Sequence, residues 1–154
     1  MLLVLLGGVL GVAIWMMQRQ VLFLPFDLNN FQFHLTELAP PIYIFIPLSI
    51  FMIGACANAA NIHDGMDGLA AGTACQIFAT LSVMLWYRGF YIEAIIAASA
   101  AGALLGFIMF NRHPAQLFMG DTGSLFIGGL MGALVVTGGL TLWFIPLSVI
   151  YIVE

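Results

Sequence analysis

Two polar segments interrupt an otherwise apolar chain, and their residues are the ones whose types and spacing could do chemistry. The first reads NAANIHDGMDGLA over residues 58–70, and the second reads NRHPAQLFMGDTGSLFIGG over residues 111–129. Together they contain three of the seven acidic residues and two of the three histidines. Carboxylates beside carboxamides suit the binding of a polar head group or a cation, so we place the chemistry of this protein in these two segments.

In the first segment a polar residue recurs at every third position, namely at Asn58, Asn61, Asp64 and Asp67. This spacing predicts that neighbouring members share a helical face at the end of a helix. Gly65 and Gly68 are expected where the helix ends and the chain approaches a ligand closely. The alternative is a solvated connector, but a carboxylate drawn to the centre of a bilayer costs about 2.5 to 3.5 kcal/mol. We therefore favour a functional loop.

In the second segment Asp121 comes just before an apolar run that predicts a helix. The unpaired N–H groups of a helix N-terminus attract phosphate, and Asp121 could hold a divalent cation that bridges phosphate oxygens. These features favour phosphoryl transfer. The alternative is that Asp121 or Thr122 caps the helix, and the two roles are compatible. We assign no role to His63 or His113.

The elements that position these residues must be membrane helices. The chain is 63% hydrophobic and 6% charged, whereas soluble domains carry about 25% charged residues. The formal net charge of −4 and the absence of lysine argue against a nucleic-acid partner, which needs a basic face. Residues 1–17 lack the basic start and the cleavage site of a signal peptide. Cys56 and Cys75 have no metal-ligand spacing and are predicted to be buried free thiols.

Apolar runs near the length of about 20 residues that spans a bilayer predict five helices and a shorter sixth. The runs cover residues 1–17, 41–59, 68–87, 91–110, 122–140 and 142–154. The predicted fold class is therefore an all-α integral membrane protein, a polytopic helix bundle forming one transmembrane domain over residues 1–154. Since the sixth run covers only about 20 Å of the ~30 Å core, we expect an internal fragment of a larger protein.

Between the first two runs, residues 20–38 contain a turn-prone Asn29-Asn30 pair followed by alternating apolar and polar residues. This pattern predicts a small β-hairpin at the membrane surface, with an irregular loop as the alternative. Pairs of glycines four residues apart predict close helix packing, and they occur at Gly7 and Gly11, Gly102 and Gly106, and Gly128 and Gly132.

Two predicted spans separate the two polar segments, so both segments should emerge on the same side of the membrane and form one site. Arg19 and Arg88 would then lie on the opposite side and Arg112 on the site side. By the positive-inside rule this count weakly places the site outside the cell.

The two segments resemble the motifs N-x-x-N-x-x-D-G-x-D-G-L-A and F-M-G-D-x-G-S of the polyprenyl-phosphate N-acetylhexosamine-1-phosphate transferase superfamily. Within it, PAQLFMGDTGS followed by GG, and the final IYIVE, are most similar to the branch of phospho-N-acetylmuramoyl-pentapeptide transferases. The resemblance implies a ten-helix enzyme of the plasma membrane, of which this chain runs from the fourth span to part of the ninth. It also implies a site facing the cytoplasm, which we prefer to the placement from the arginines.

In this family undecaprenyl phosphate attacks the sugar-linked phosphate of UDP-N-acetylmuramoyl-pentapeptide with the help of Mg²⁺. UMP leaves and lipid I, a peptidoglycan precursor, is formed. By resemblance Asp121 is the magnesium ligand, and Asp64, Asp67 and Asp121 are the catalytic acids. The substrate-binding positions are then Asn58, Asn61, Gly65, Met66, Asn111 and Phe118, with Asn111 and Phe118 near the uridine.

The chain also departs from this pattern. His63 replaces a usual threonine, and Arg112-His113 replaces a more neutral pair. These differences leave open which sugar the protein transfers. The alternative donor is UDP-N-acetylglucosamine, and a remote alternative is an ion-coupled transporter, although transporters place their acids near the bilayer midplane. The family's Asp-Asp pair and His-rich loop would lie before Met1 and after Glu154, so the chain alone is expected to be inactive. A homodimer is left open.

Overall fold

The computed structural model describes residues 22–24, 36–38 and 42–140. Within these ranges it contains two short strands and four helices. They are β1 (Leu22–Leu24), β2 (Thr36–Leu38), α1 (Ile42–His63), α2 (Leu69–Tyr87), α3 (Tyr91–Asn111) and α4 (Gly120–Thr137). All four helices are long and apolar enough to cross a membrane.

The second to fifth predicted spans fall on α1 to α4, while residues 1–17 and 142–154 lie outside the described part of the chain. The helix ends differ from the apolar runs where polar residues are helical. Thus α1 continues past residue 59 to His63, and α4 begins at Gly120 instead of residue 122. Consequently Asn58 and Asn61 are helical, whereas Asp64 and Asp67 lie in the loop that follows, so the predicted shared helical face stops at Asn61.

The two strands form an antiparallel pair in which Leu22 lies opposite Leu38 and Leu24 lies opposite Thr36. The pair falls inside the range 20–38 for which a hairpin is predicted. The connecting residues 25–35 lie outside the described residues, and the location at the membrane surface stays a prediction.

The four helices pack as two pairs. Helix α2 lies along α3 and α1 lies along α4, and fewer contacts join the two pairs. The largest buried side chains come from α2 and α4 and include Phe78, Leu81, Leu85, Met131 and Val135. Cys56 and Cys75 are free and buried, as predicted. This arrangement brings the C-terminal end of α1, where the first polar segment begins, beside the N-terminal end of α4, which belongs to the second polar segment.

Glycines set the distance between α1 and α4. A Cβ atom at Gly128 would collide with the backbone of Cys56, and one at Gly132 would lie 2.8 Å from Cα of Ile53. The predicted close packing is therefore found at this pair. Within the described residues it is not found at Gly102 and Gly106, where a Cβ atom would meet nothing within 4 Å. Gly7 and Gly11 lie outside the described residues.

We expect Gly128→Ala to lower the free energy of unfolding by about 1–3 kcal/mol, because the added methyl group forces two helix backbones apart. The matched control is Gly129→Ala, since a Cβ atom at this neighbouring position of α4 meets nothing within 4 Å. The control should be neutral or slightly stabilising, because alanine is the better helix former. Equilibrium unfolding of the detergent-purified variants measures both, and equal effects would contradict this account of the α1–α4 contact.

Candidate active site

The two polar segments meet at one end of the helices. Residues 64–68 connect α1 to α2, and residues 112–119 connect α3 to α4. We call them the first loop and the second loop. Side-chain hydrogen bonds cross between the two segments at several points. The same-side placement predicted by counting spans is therefore found in the structure.

Asn111 makes the first of these connections and is buried, with only 4% of its surface exposed. Its Oδ1 accepts a hydrogen bond from the backbone N–H of Gly68 at 3.0 Å, and its Nδ2 donates to the carbonyl of Leu117 at 2.9 Å. Gly68 has a φ of +77°, a conformation that side-chain-bearing residues rarely adopt. The Asn111 amide thus serves the backbone of both loops, whereas resemblance places it beside the uridine.

Asp67 makes a second connection through one carboxylate oxygen. Its Oδ2 accepts from the backbone N–H of Ala115 at 3.2 Å and lies 3.0 Å from Nδ1 of His113. The His113 side chain is largely exposed, while that of Asp67 is mostly covered. His113, to which the sequence assigned no role, therefore contacts one of the three predicted catalytic acids.

A third connection joins the helices beneath the loops. The hydroxyl of Ser124 in α4 donates to Oδ1 of Asn61 in α1 at 2.8 Å. Ser124 is almost fully buried. Because its hydroxyl engages the amide oxygen of Asn61, the Asn61 NH₂ group stays available for another acceptor. Ser124 is not among the predicted site residues, although it closes the F-M-G-D-x-G-S motif.

Asp64 and Asp121, each from a different segment, interact electrostatically at the start of α4. Burial raises the pKa of Asp64 above its ordinary value of 3.8, the negative charge of Asp121 raises it further, and a hydrogen bond from the backbone of Gly120 lowers it. Asp121 lies in the first turn of α4, where the helix dipole favours a negative charge. Two carboxylates thus converge on a helix N-terminus.

The helix-capping alternative for Asp121 and Thr122 is wrong. The N-cap residue of α4 is Met119, and no side chain caps the helix from that position. Asp121 is two residues further into the helix, and it is exposed. Its carboxylate is therefore not engaged as a cap and is accessible to a ligand.

The remaining predicted binding residues line surface grooves. Asn58, Gly65 and Met66 line a groove of about 620 Å³ along the end of α1. Phe118 lines a mostly apolar groove of about 340 Å³ between α3 and α4. Met66 and Phe118 are each 71% exposed. Both side chains therefore offer free apolar surface to a ligand, and Phe118 offers an aromatic face.

Asp64 and Asp121 offer carboxylate oxygens, the ligand type that Mg²⁺ prefers. Among residues 42–140 no group of three His, Cys, Asp or Glu residues could hold a metal. However, Mg²⁺ is commonly bound by one or two carboxylates together with substrate phosphates. The charge of Asp121 disfavours ionisation of Asp64, and a divalent cation between them would relieve that repulsion. The sequence predicted only Asp121 as a ligand, and the structure adds Asp64 as a second candidate.

The fold and this site define a membrane protein whose helices present acidic residues at one end. The model of glycosyl transferase family 4 matches residues 5–139. The chain belongs to that family.

Its relatives include proteins named phospho-N-acetylmuramoyl-pentapeptide-transferase. The one from Geobacillus thermodenitrificans is 43% identical over 107 residues, which cover 70% of this chain and 33% of the relative. The one from Halalkalibacterium halodurans is 38% identical over 112 residues, covering 73% of this chain and 34% of the relative. The one from Bacillus pumilus is 39% identical over 112 residues, covering 73% and 35%. The chain spans about a third of the length of these curated relatives.

We expect Asp64→Asn to stabilise the protein near neutral pH. Because the pKa of Asp64 is raised above 3.8 in the folded state, its ionised form opposes folding once the pH exceeds that raised pKa. Below 3.8 the carboxyl is protonated in both the folded and the unfolded state, so the gain should vanish there. The asparagine side chain keeps an oxygen that can accept the hydrogen bond from the backbone of Gly120.

Thermal unfolding of the purified protein across this pH range measures the effect. The matched control is Glu93→Gln, which removes an acid from the first turn of α3 at the opposite end of the helices. It should bring no comparable gain. An Asp64→Asn gain that is the same at every pH would show that the carboxylate charge is not its cause.

Proposed function

We propose that the gene product containing this chain transfers phospho-N-acetylmuramoyl-pentapeptide from UDP-N-acetylmuramoyl-pentapeptide to undecaprenyl phosphate. The products are lipid I and UMP, and the reaction belongs to peptidoglycan synthesis. The observation that carries the proposal is the convergence of Asp64 and Asp121 at the N-terminus of α4. The names of the relatives support the same reaction.

The reaction needs two phosphate-bearing substrates to meet beside acidic residues. An oxygen of the lipid phosphate forms a bond to the sugar-linked phosphorus. The bond from that phosphorus to the UMP oxygen breaks, and UMP leaves with the electron pair of that bond. Bound Mg²⁺ would supply charge neutralisation for the phosphate oxygens. Asp121 and Asp64 are the residues that would hold it, and the positive end of the α4 dipole attracts the phosphates.

The other site residues fit roles in substrate binding. Asn61 has an NH₂ group left to donate, because Ser124 occupies its amide oxygen, and a phosphate or sugar oxygen is a suitable acceptor. The exposed ring of Phe118 can stack on a flat base such as uracil. Asn58 and Met66 line the groove beside the first loop, which suits a bulky sugar-peptide.

We place the protein in the plasma membrane as a multi-pass protein, with the two loops on the cytoplasmic side where the nucleotide substrate is made. The transporter alternative is disfavoured because Asp64, Asp67 and Asp121 lie at helix ends and not in the middle of spans. A homodimer stays a prediction. The donor alternative, UDP-N-acetylglucosamine, is decided by the assay that follows.

The purified full-length gene product should release UMP from UDP-N-acetylmuramoyl-pentapeptide in the presence of undecaprenyl phosphate and Mg²⁺. Asp121→Asn should lower kcat/KM by at least about 10–100-fold, since even the loss of a group that hydrogen-bonds to a metal ligand typically costs that much. Glu93→Gln removes an acid at the opposite end of the helices and should keep full activity.

Three outcomes would change this assignment. Turnover of UDP-N-acetylglucosamine without turnover of the muramoyl donor would move the protein to the alternative donor. Undiminished turnover in Asp121→Asn would remove Asp121 from the site. A wild-type protein inactive with both donors would contradict the proposed transferase.

Mg²⁺ should raise the unfolding temperature of the substrate-free protein, because a ligand that binds only the folded state stabilises it. Asp64→Asn and Asp121→Asn should each weaken this response, since each removes one of the two converging carboxylates. Thermal unfolding with increasing Mg²⁺, and with EDTA as the reference, measures it. An unchanged response in Asp64→Asn would limit the metal site to Asp121.

A further inference from the structure

We infer that Asn111 is a positioning residue that clamps the two loops together through their backbones. This inference rests on the proposed function for its kinetic consequences. The clamp itself rests only on the geometry of the loops.

The first argument is the use of the Asn111 amide. Its oxygen accepts from Gly68, and its NH₂ group donates to Leu117. These partners lie in different loops, and Asn111 is itself buried. Each end of the buried Asn111 amide is therefore bonded to the backbone of a different loop.

The second argument concerns the residues next to Gly68 and Leu117, the two hydrogen-bond partners of Asn111. Gly68 directly follows Asp67, which contacts His113 and Ala115 of the second loop. Leu117 directly precedes Phe118, whose ring is 71% exposed. Asn111 therefore fixes the backbone on the acidic side and on the aromatic side of the site at once.

The third argument is the local conformation that Asn111 holds. The second loop folds back on the end of α3, with the N–H of Gln116 donating to the carbonyl of Phe110 at 2.9 Å and that of Leu117 donating to the same carbonyl at 3.3 Å. These bonds keep the second loop compact. The Asn111 amide is what ties this compact loop to Gly68.

The test compares Asn111→Ala and Asn111→Asp with wild type in the full-length protein. Alanine removes both hydrogen bonds, whereas aspartate keeps an acceptor for Gly68 but places an acceptor-only carboxylate against the carbonyl of Leu117. The matched control is Gln116→Ala, which removes an exposed carboxamide from the same loop.

The first readout is trypsin cleavage after Arg112 in substrate-free protein, followed by mass spectrometry. Cleavage of a folded protein tracks how often the segment opens. We expect cleavage to rise about tenfold or more in both Asn111 variants, because a buried hydrogen-bonding group loses its partner, and to stay unchanged in Gln116→Ala. Cleavage after Arg88, in the α2–α3 turn at the opposite end of the helices, reports general unfolding and should stay low.

The second readout is kinetic. If Asn111 positions Phe118 and the first loop, KM for the UDP-sugar should rise about tenfold, while KM for undecaprenyl phosphate stays within about twofold. A merely structural role would lower the amount of active enzyme and leave both KM values unchanged.

The outcomes separate the clamp from the proposed function. Unchanged cleavage after Arg112 in Asn111→Ala would overturn the clamp, and a raised KM alongside it would mean that Asn111 binds the substrate directly. Equal increases in cleavage after Arg88 and Arg112 would also overturn it, because the protein would then be unfolding as a whole. If the wild-type protein shows no transferase activity, the proposed function fails, while the cleavage comparison still decides the clamp.

Discussion

Hydrogen bonds that join the two loops through the side chains of Asn111 and Asp67 are the interaction on which this site depends. The helices that carry the loops are held by apolar packing, which fixes where the helices lie but has little directional control over their polar ends. Directional control comes from amides and carboxylates, because a hydrogen bond weakens steeply when its angle departs from linear. Asn111 and Asp67 supply it across the two loops, and Ser124 supplies it just below them.

This arrangement divides the polar residues by task. Asn111, Ser124 and one oxygen of Asp67 are occupied within the protein, so they shape the site. Asp64, Asp121 and Phe118 retain charge or surface for a ligand. The two carboxylates repel each other in the folded protein. A functional site can tolerate this unfavourable free energy when a bound cation offsets it.

The positions of α1 to α4 could be predicted from the sequence because each is a long apolar run, and apolar length is what a membrane helix requires. The helix ends could not, since Asp64 and Asp67 continue the spacing of Asn58 and Asn61 but lie in the loop after α1. The acids proposed for the site stand out in the sequence because charge is rare in this chain. The role of Asn111 could not be predicted, because a carboxamide that bonds backbone and one that bonds a ligand are the same residue in a sequence. The contact between His113 and Asp67 could not be predicted either, because the two residues are 46 positions apart in the chain.

The close contact between α1 and α4 has a consequence for how this stretch of the gene can change. Ser124 lies three residues after Asp121, and Gly128 lies seven after it, so all three share one face of α4. Gly128 abuts the backbone of α1, and Ser124 bonds Asn61. Inserting or deleting a single residue between Asp121 and Gly128 would rotate Asp121 by about 100° around the helix and turn it away from Asp64. Substitutions between these positions are therefore compatible with the site. The number of residues that separates Asp121 from Gly128 must stay the same, because the geometry of the helix fixes it.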